Sequence, residues 1–212
     1  MTVKTMTIQV EGHTLTFFHQ RSPDWTHPYA WEGRGTLKTS GCGIFALCHA
    51  AEWLTGNRQD PEYWADFSCA CGGRGDDGTD RPQLLHGLMV SGRNRELGFS
   101  YVEDGLRNDT DVLYDLLAEG KAAALCNLRP GHIVVLVAAR EANGVRQVLA
   151  IDSHTESIDP RVRNEVTEVI PGTEITYPVE NADGVTVGSE TGYAAYWARL
   201  STVRDFNILH II

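Results

Sequence analysis

Thr39-Ser40-Gly41-Cys42-Gly43-Ile44-Phe45-Ala46-Leu47-Cys48-His49-Ala50-Ala51-Glu52-Trp53-Leu54-Thr55-Gly56 is the stretch on which the reading of this chain turns. Small polar residues and glycines open it. Ala46, Leu47, Ala50, Ala51 and Leu54 are good helix formers, and Gly56 stands where a helix stop belongs. The pattern predicts a helix that begins at or just after Cys42. Backbone N–H groups at a helix start lack intrahelical partners and carry the positive end of the macrodipole, which favours an anion. A thiol held there is drawn toward thiolate, its nucleophilic form. The flanking glycines would let backbone approach the sulfur and leave room for a substrate. Against this stands the ordinary fate of cysteine, which is burial as a small apolar side chain.

Upstream, Thr2 to Val10 and His13 to Phe18 alternate apolar and polar residues across Glu11-Gly12, the signature of a β-hairpin. Gln20 to Gly35 is rich in Pro, Trp, Tyr and Gly and reads as irregular chain. Its Trp25, Tyr29 and Trp31 read as cover for the core, with the lining of a cleft beside the cysteine as the alternative. Downstream, Asp60-Pro61 starts a short helix, and Ser68 to Gly78 reads as a flexible glycine-rich surface loop. Helical patterns follow at Arg81 to Val90 and Asp109 to Glu119, with a strand-like piece at Phe99 to Val102 between them. After Gly120 the chain turns to apolar strands: Ala122 to Leu128, His132 to Arg140, Val145 to Asp152, Thr173 to Val179, Gly192 to Leu200 and Phe206 to Ile212. Asn143-Gly144 is a strong hairpin turn. Helices first and an antiparallel sheet second predict an α+β layout, in one domain spanning residues 1–212.

The 212 residues suffice for one substantial core, and 42% hydrophobic with 22% charged residues is ordinary for a soluble protein. A net charge of −10, from 28 acidic and 18 basic residues, argues against nucleic acid or an anionic membrane as partner. Met1 to Val10 lacks the apolar core of a signal peptide, and the longest apolar run, Ile133 to Ala139, is strand-sized. The expectation is a cytoplasmic protein, or one exported by a dedicated secretion route. The five cysteines are odd in number and not spaced as a disulfide scaffold, so reduced thiols are expected.

A nucleophilic thiol needs a base, and the base needs an orienting group. His132 opens an apolar strand just after Arg129-Pro130-Gly131, and Asp152 ends the next one. Counted back from the Asn143-Gly144 turn, the two lie at the same end of a hairpin but are offset by about three residues, roughly 10 Å. A bulge or a longer turn would close that gap.

The segments His19-Gln20-Arg21-Ser22-Pro23-Asp24-Trp25 and Gly35-Thr36-Leu37-Lys38-Thr39-Ser40-Gly41-Cys42-Gly43 resemble the bacterial C39-like peptidases of the papain-like cysteine protease superfamily. So do the later Gly131-His132 before an apolar strand and Asp152 at the end of the following one. The resemblance covers Phe18 to Gly56 and Gly131 to Ser153. It implies a papain-like fold, with an N-terminal helical half carrying the nucleophile and a C-terminal antiparallel β-sheet half. It implies Cys42 as nucleophile, His132 as base, Asp152 as the residue that orients the imidazole, and Gln20 as oxyanion donor beside the Cys42 N–H. The substrate would be a peptide or amide, with no metal or organic cofactor. Gln20 lies 22 residues before Cys42, farther than in the best-known papain-like enzymes, and Ile44-Phe45 replaces the Pro-Thr often found after the glycine.

Rival readings remain at this level. The same triad would serve an acyltransferase, a transpeptidase or an amidase acting on a small amide. The fold could be a binding module without turnover. Cys69-x-Cys71 with Cys48 or His49 is a weak zinc pattern, because a second ligand pair is lacking. His154 is the rival base.

Overall fold

The structure, a computed structural model, describes residues 4–102, 109–129, 132–154, 165–181, 183 and 185–212. Thr5–Val10 (β1) and His13–Phe18 (β2) form the expected hairpin, in which Glu11 and Gly12 both adopt positive φ, the geometry of a tight two-residue turn. Pro28–Trp31 (β3) and Arg34–Thr36 (β4) make a second small hairpin. A single helical turn, Leu37–Ser40 (α1), leads into Cys42–Thr55 (α2), which stops at Gly56 in the left-handed conformation. Pro61–Ala70 (α3) is capped by the Asp60 side chain, with proline at the first helical position. Arg74–Gly75 (β5) and Gly78–Thr79 (β6) pair as a third hairpin, and Arg81–Ser91 (α4) follows under an Asp80 cap. Phe99–Ser100 (β7) and Thr110–Ala118 (α5), capped by Asp109, complete the first part. The later strands are Ala122–Arg129 (β8), His132–Ala142 (β9), Val145–Ile151 (β10), Val166–Val169 (β11), Glu174–Glu180 (β12), Thr186–Tyr193 (β13), Ala195–Arg199 (β14) and Phe206–Ile211 (β15).

Seven strands form one antiparallel sheet in the order β11-β14-β10-β9-β8-β15-β7, and β12 with β13 makes a separate ribbon. Helix α2 packs on one face of the sheet, across β8 and β9, and α5 packs on the other. Ile133, Val135 and Val137 of β9 face α2, while Val134 and Leu136 face α5. Strands covered on both faces read as continuous apolar runs, which is why this alternation cannot be seen in the sequence. Ile44, Phe45 and Leu47 of α2 are fully buried, each worth about 1.5–3 kcal/mol of transfer free energy.

This architecture overturns the expected papain-like α+β division into a helical N-terminal half and a sheet C-terminal half. More residues lie in strands than in helices, and strands are interleaved with the helices throughout the N-terminal half. The β1–β2 hairpin lies against α2, with Phe18 packed on Phe45 and His49. The short strand β7, which precedes α5, closes the large sheet through β15. The helical spans themselves were readable. What hid the strands β3 to β6 is their length of two to four residues, too short for a period to register, whereas β7 falls within the strand-like piece expected at Phe99 to Val102.

The glycine-rich segment is likewise not a flexible surface loop. Arg74 is buried, and its guanidinium donates to the carbonyls of Tyr29 (3.0 Å) and Gly78 (3.0 Å) and to Ser40 Oγ (3.3 Å). One planar fork of donors thus pins the β5–β6 hairpin against β3 and the entry to α2.

Candidate active site

Cys42 is the first residue of α2, and its backbone N–H is one of the four that the helix leaves without an internal partner. Both neighbouring glycines are required by packing. A Cβ on Gly41 would lie 2.4 Å from the Leu37 carbonyl oxygen, and one on Gly43 would lie 2.5 Å from the Thr79 side chain. The glycines bring α1 and β6 onto the helix start, a tighter role than making room for substrate.

The meeting of His132 with Asp152 depends on one extra residue. From the Asn143-Gly144 turn, Val145 pairs with Ala142 and Leu149 with Ala138 in unbroken register, but Ala150 pairs with Leu136. Val137 is therefore a β-bulge in β9. Carried forward, the register sets Asp152 opposite Val134, two residues from His132, where an unbroken ladder would set it opposite Val135, three away. An odd offset puts two side chains on opposite faces of a sheet and an even offset puts them on the same face. His132 Nε2 lies 2.6 Å from Asp152 Oδ1, and both side chains are buried. A nitrogen facing a carboxylate carries the proton, so Nδ1 is the atom left for Cys42, with which the imidazole also hydrogen-bonds.

Burial alone would raise the Cys42 thiol, but the hydrogen bond and charge of His132, helped by the N–H groups of Ile133 and Gly43, outweigh it and lower the thiol below its ordinary value. Burial alone would lower His132. The Asp152 carboxylate and the Cys42 sulfur more than offset this and raise the imidazole to about 9. The shifts run in the two directions that favour a thiolate–imidazolium pair.

Gln20 is buried and tied to both halves of this arrangement. Its Nε2 donates to the Lys38 carbonyl in α1 (3.3 Å), its Oε1 accepts from Ser153 Oγ (3.3 Å), and its backbone N–H bonds the Ser153 carbonyl (2.8 Å). The long spacing from Gln20 to Cys42 is taken up by the β3–β4 hairpin, which returns the chain to α1 through the Leu37 N–H and the His27 carbonyl (3.1 Å). Asp152 receives two further donors. The His154 backbone N–H reaches Oδ1 at 2.9 Å and the Tyr196 hydroxyl reaches Oδ2 at 3.1 Å. The His154 ring stands edge-on to His132 with centroids 5.3 Å apart. His154 therefore sits behind the orienting carboxylate, whereas His132 bonds the thiol.

A cleft of about 550 Å³ opens beside Cys42, lined by Asp77, Thr79, Asp80, Asn127 and Ile133. Arg81 also lines it, but its guanidinium is engaged by the Leu125 carbonyl and by an ion pair with Asp205. The β5–β6 hairpin is one wall of this cleft. Trp25 and Tyr29 are buried in the core, Trp25 against Phe45, and Trp31 is exposed, so the aromatic lead-in covers the core.

Cys48 is buried inside α2 while Cys69 is exposed on α3, and among the described residues no group of three or more His, Cys, Asp or Glu is placed to hold a metal ion. Sequence reasoning missed Tyr196 and Ser153. A tyrosine inside the apolar run Ala194-Ala195-Tyr196-Trp197 signals that its hydroxyl has a buried partner, although not which one. Ser153 carries no comparable signal. No protein-family model, curated protein or solved structure matches the chain. Among the described residues no helix is long and apolar enough to cross a membrane.

Proposed function

We propose that this protein is a cysteine-dependent acyl-transfer enzyme, most simply a hydrolase of a peptide or amide bond. The observation that carries the reading is the chain of contacts from Cys42 to His132 to Asp152 at the start of a helix and at the edge of a cleft. The order of these residues, with Gln20 upstream, also matches the C39-like peptidases that the sequence resembles. In this reading the Cys42 thiolate attacks the substrate carbonyl carbon and the His132 imidazolium gives its proton to the leaving amine, producing a thioester. Water, losing a proton to His132, then attacks the thioester and releases the acid and the thiol. Asp152 holds the imidazole and balances its charge. The Cys42 backbone N–H and the Gln20 amide are the oxyanion donors, each such donor contributing roughly 10²–10³ in rate.

The test is the alkylation rate of each cysteine against pH, followed by peptide mass spectrometry in the wild type and in His132→Ala. The expected result is a Cys42 that reacts well below neutral pH, and whose midpoint returns toward about 8.5 in His132→Ala. A Cys42 that titrates as a free thiol in the wild type overturns the reading in favour of a binding module without turnover.

A further inference from the structure

We infer that Tyr196 is a positioning residue of this site, its hydroxyl fixing the rotation of the Asp152 carboxylate so that Oδ1 stays in line with His132 Nε2. The inference rests on the acyl-transfer reading above and extends it to the strand behind the triad.

A carboxylate at the end of a strand can turn about its terminal torsion, and only some rotations place an oxygen in the plane of a neighbouring imidazole. Donors reach both oxygens of Asp152. His132 Nε2 and the His154 N–H share Oδ1, at 2.6 and 2.9 Å, while the Tyr196 hydroxyl meets Oδ2 at 3.1 Å. The first two act on one oxygen only. The third acts on the opposite oxygen, so the carboxylate is held across both of its oxygens and its rotation about the terminal torsion is narrowed. The donor is itself rigid: Tyr196 is 2% exposed, packed among apolar residues on the α5 side of the sheet, and held by β14 pairing with β10 at Ala150. The Asp152 backbone is fixed to the same neighbourhood through its N–H and the Ala194 carbonyl, 2.9 Å. Side chain and main chain of Asp152 are thus set by Tyr196 of β14 and by Ala194 just before that strand. An uncompensated buried carboxylate is costly, so a second oxygen served by a hydroxyl also favours its ionised form.

Among the described residues, the titratable groups facing Asp152 include His132 from β9, His154 beyond β10, His49 from α2 and Tyr196 from β14, with Cys42 beyond His132. Tyr196→Phe keeps the ring and its packing and removes the donor. With the carboxylate released, the imidazolium is less well held and the thiolate loses part of its partner.

The expected result is a Cys42 alkylation midpoint higher by about one pH unit, with a roughly tenfold lower rate on the acid side of the transition. Tyr177→Phe, which removes another buried hydroxyl bonded to Glu190, should leave the midpoint in place. Asp152→Asn should abolish the dependence, so that adding Tyr196→Phe to it moves the midpoint no further. A midpoint unchanged or lowered in Tyr196→Phe, or an equal shift in the Asp152→Asn background, overturns the inference. If Tyr196→Phe does not fold, ¹³Cζ-labelled tyrosine in the wild type serves instead. The Tyr196 signal should follow the titration of the Cys42–His132 pair, and a flat signal overturns the role. Failure of the parent reading is separate, because it shows as an ordinary Cys42 midpoint in the wild type.

Discussion

Helix α2 carries two buried cysteines six residues apart, one at its start and one at its middle, and their surroundings push them in opposite directions. Burial raises both thiols. At Cys42 a hydrogen-bonded imidazole and two backbone N–H groups overcome it, and the thiol is lowered. At Cys48 the carboxylates of Asp60 and Glu52 add to burial, and the thiol is raised well above its ordinary value. The two histidines of the same region divide in the same way. His132 faces a carboxylate at hydrogen-bond distance and is raised to about 9. His49 is buried between Phe17 and Phe18, accepts the Phe18 N–H on Nε2, and is lowered to about 3 by burial, against a weaker pull from Asp152. Depth is therefore a poor guide to chemistry in this molecule. What separates the reactive start of α2 from its structural middle is the partner that each buried group meets.

The sharpest break between the two cysteines lies in reactivity. At pH 6 iodoacetamide should modify Cys42 more than about 10³ times faster than Cys48 in the folded protein, and at similar rates after denaturation. Peptide mass spectrometry of timed samples measures both, and similar rates in the folded state would erase the comparison.

The histidines give the next largest effect. His49 has a folded pKa below its unfolded value of 6.5, so below about pH 6.5 the unfolded chain binds a proton that the folded chain refuses. Stability is lost as pH falls. From pH 7 to pH 4 this single group should cost about 3 kcal/mol. His49→Gln keeps an acceptor for the Phe18 N–H without titrating, so its urea unfolding curves should lose less stability over that range. His132 has the opposite sign. Its contribution is complete below pH 6.5 and is lost as pH rises through about 9.

A smaller effect should come from packing at the helix start. Gly43→Ala sets a methyl 2.5 Å from the Thr79 side chain, whereas Gly188 on the ribbon meets nothing within 4 Å. Gly43→Ala should destabilise by about 1–3 kcal/mol and slow Cys42 alkylation, while Gly188→Ala should stay within about 0.5 kcal/mol of wild type, both read by chemical denaturation.

The sequence by itself determined the local events. The Glu11-Gly12 and Asn143-Gly144 turns, the cap at Asp60, the stop at Gly56 and the start of α2 at Cys42 all follow from propensities and φ preferences that act over a few residues. The candidate residues Cys42, His132, Asp152 and Gln20 were legible because polar groups stood at the ends of apolar segments or in a familiar motif. The tertiary structure decided how these pieces meet. A run such as Ile133 to Val137 is apolar throughout, so nothing local says that Val137 is the residue left out of the ladder, yet that bulge moves Asp152 from the wrong face to the right one. The strand β7 belongs to the large sheet only because β15, more than a hundred residues later, supplies its hydrogen bonds. Tyr196 reaches Asp152 only because β14 pairs with β10. Propensity reads neighbours along the chain. Register, burial and the choice of partner are set by long-range pairing, whose energy appears only when distant segments come together.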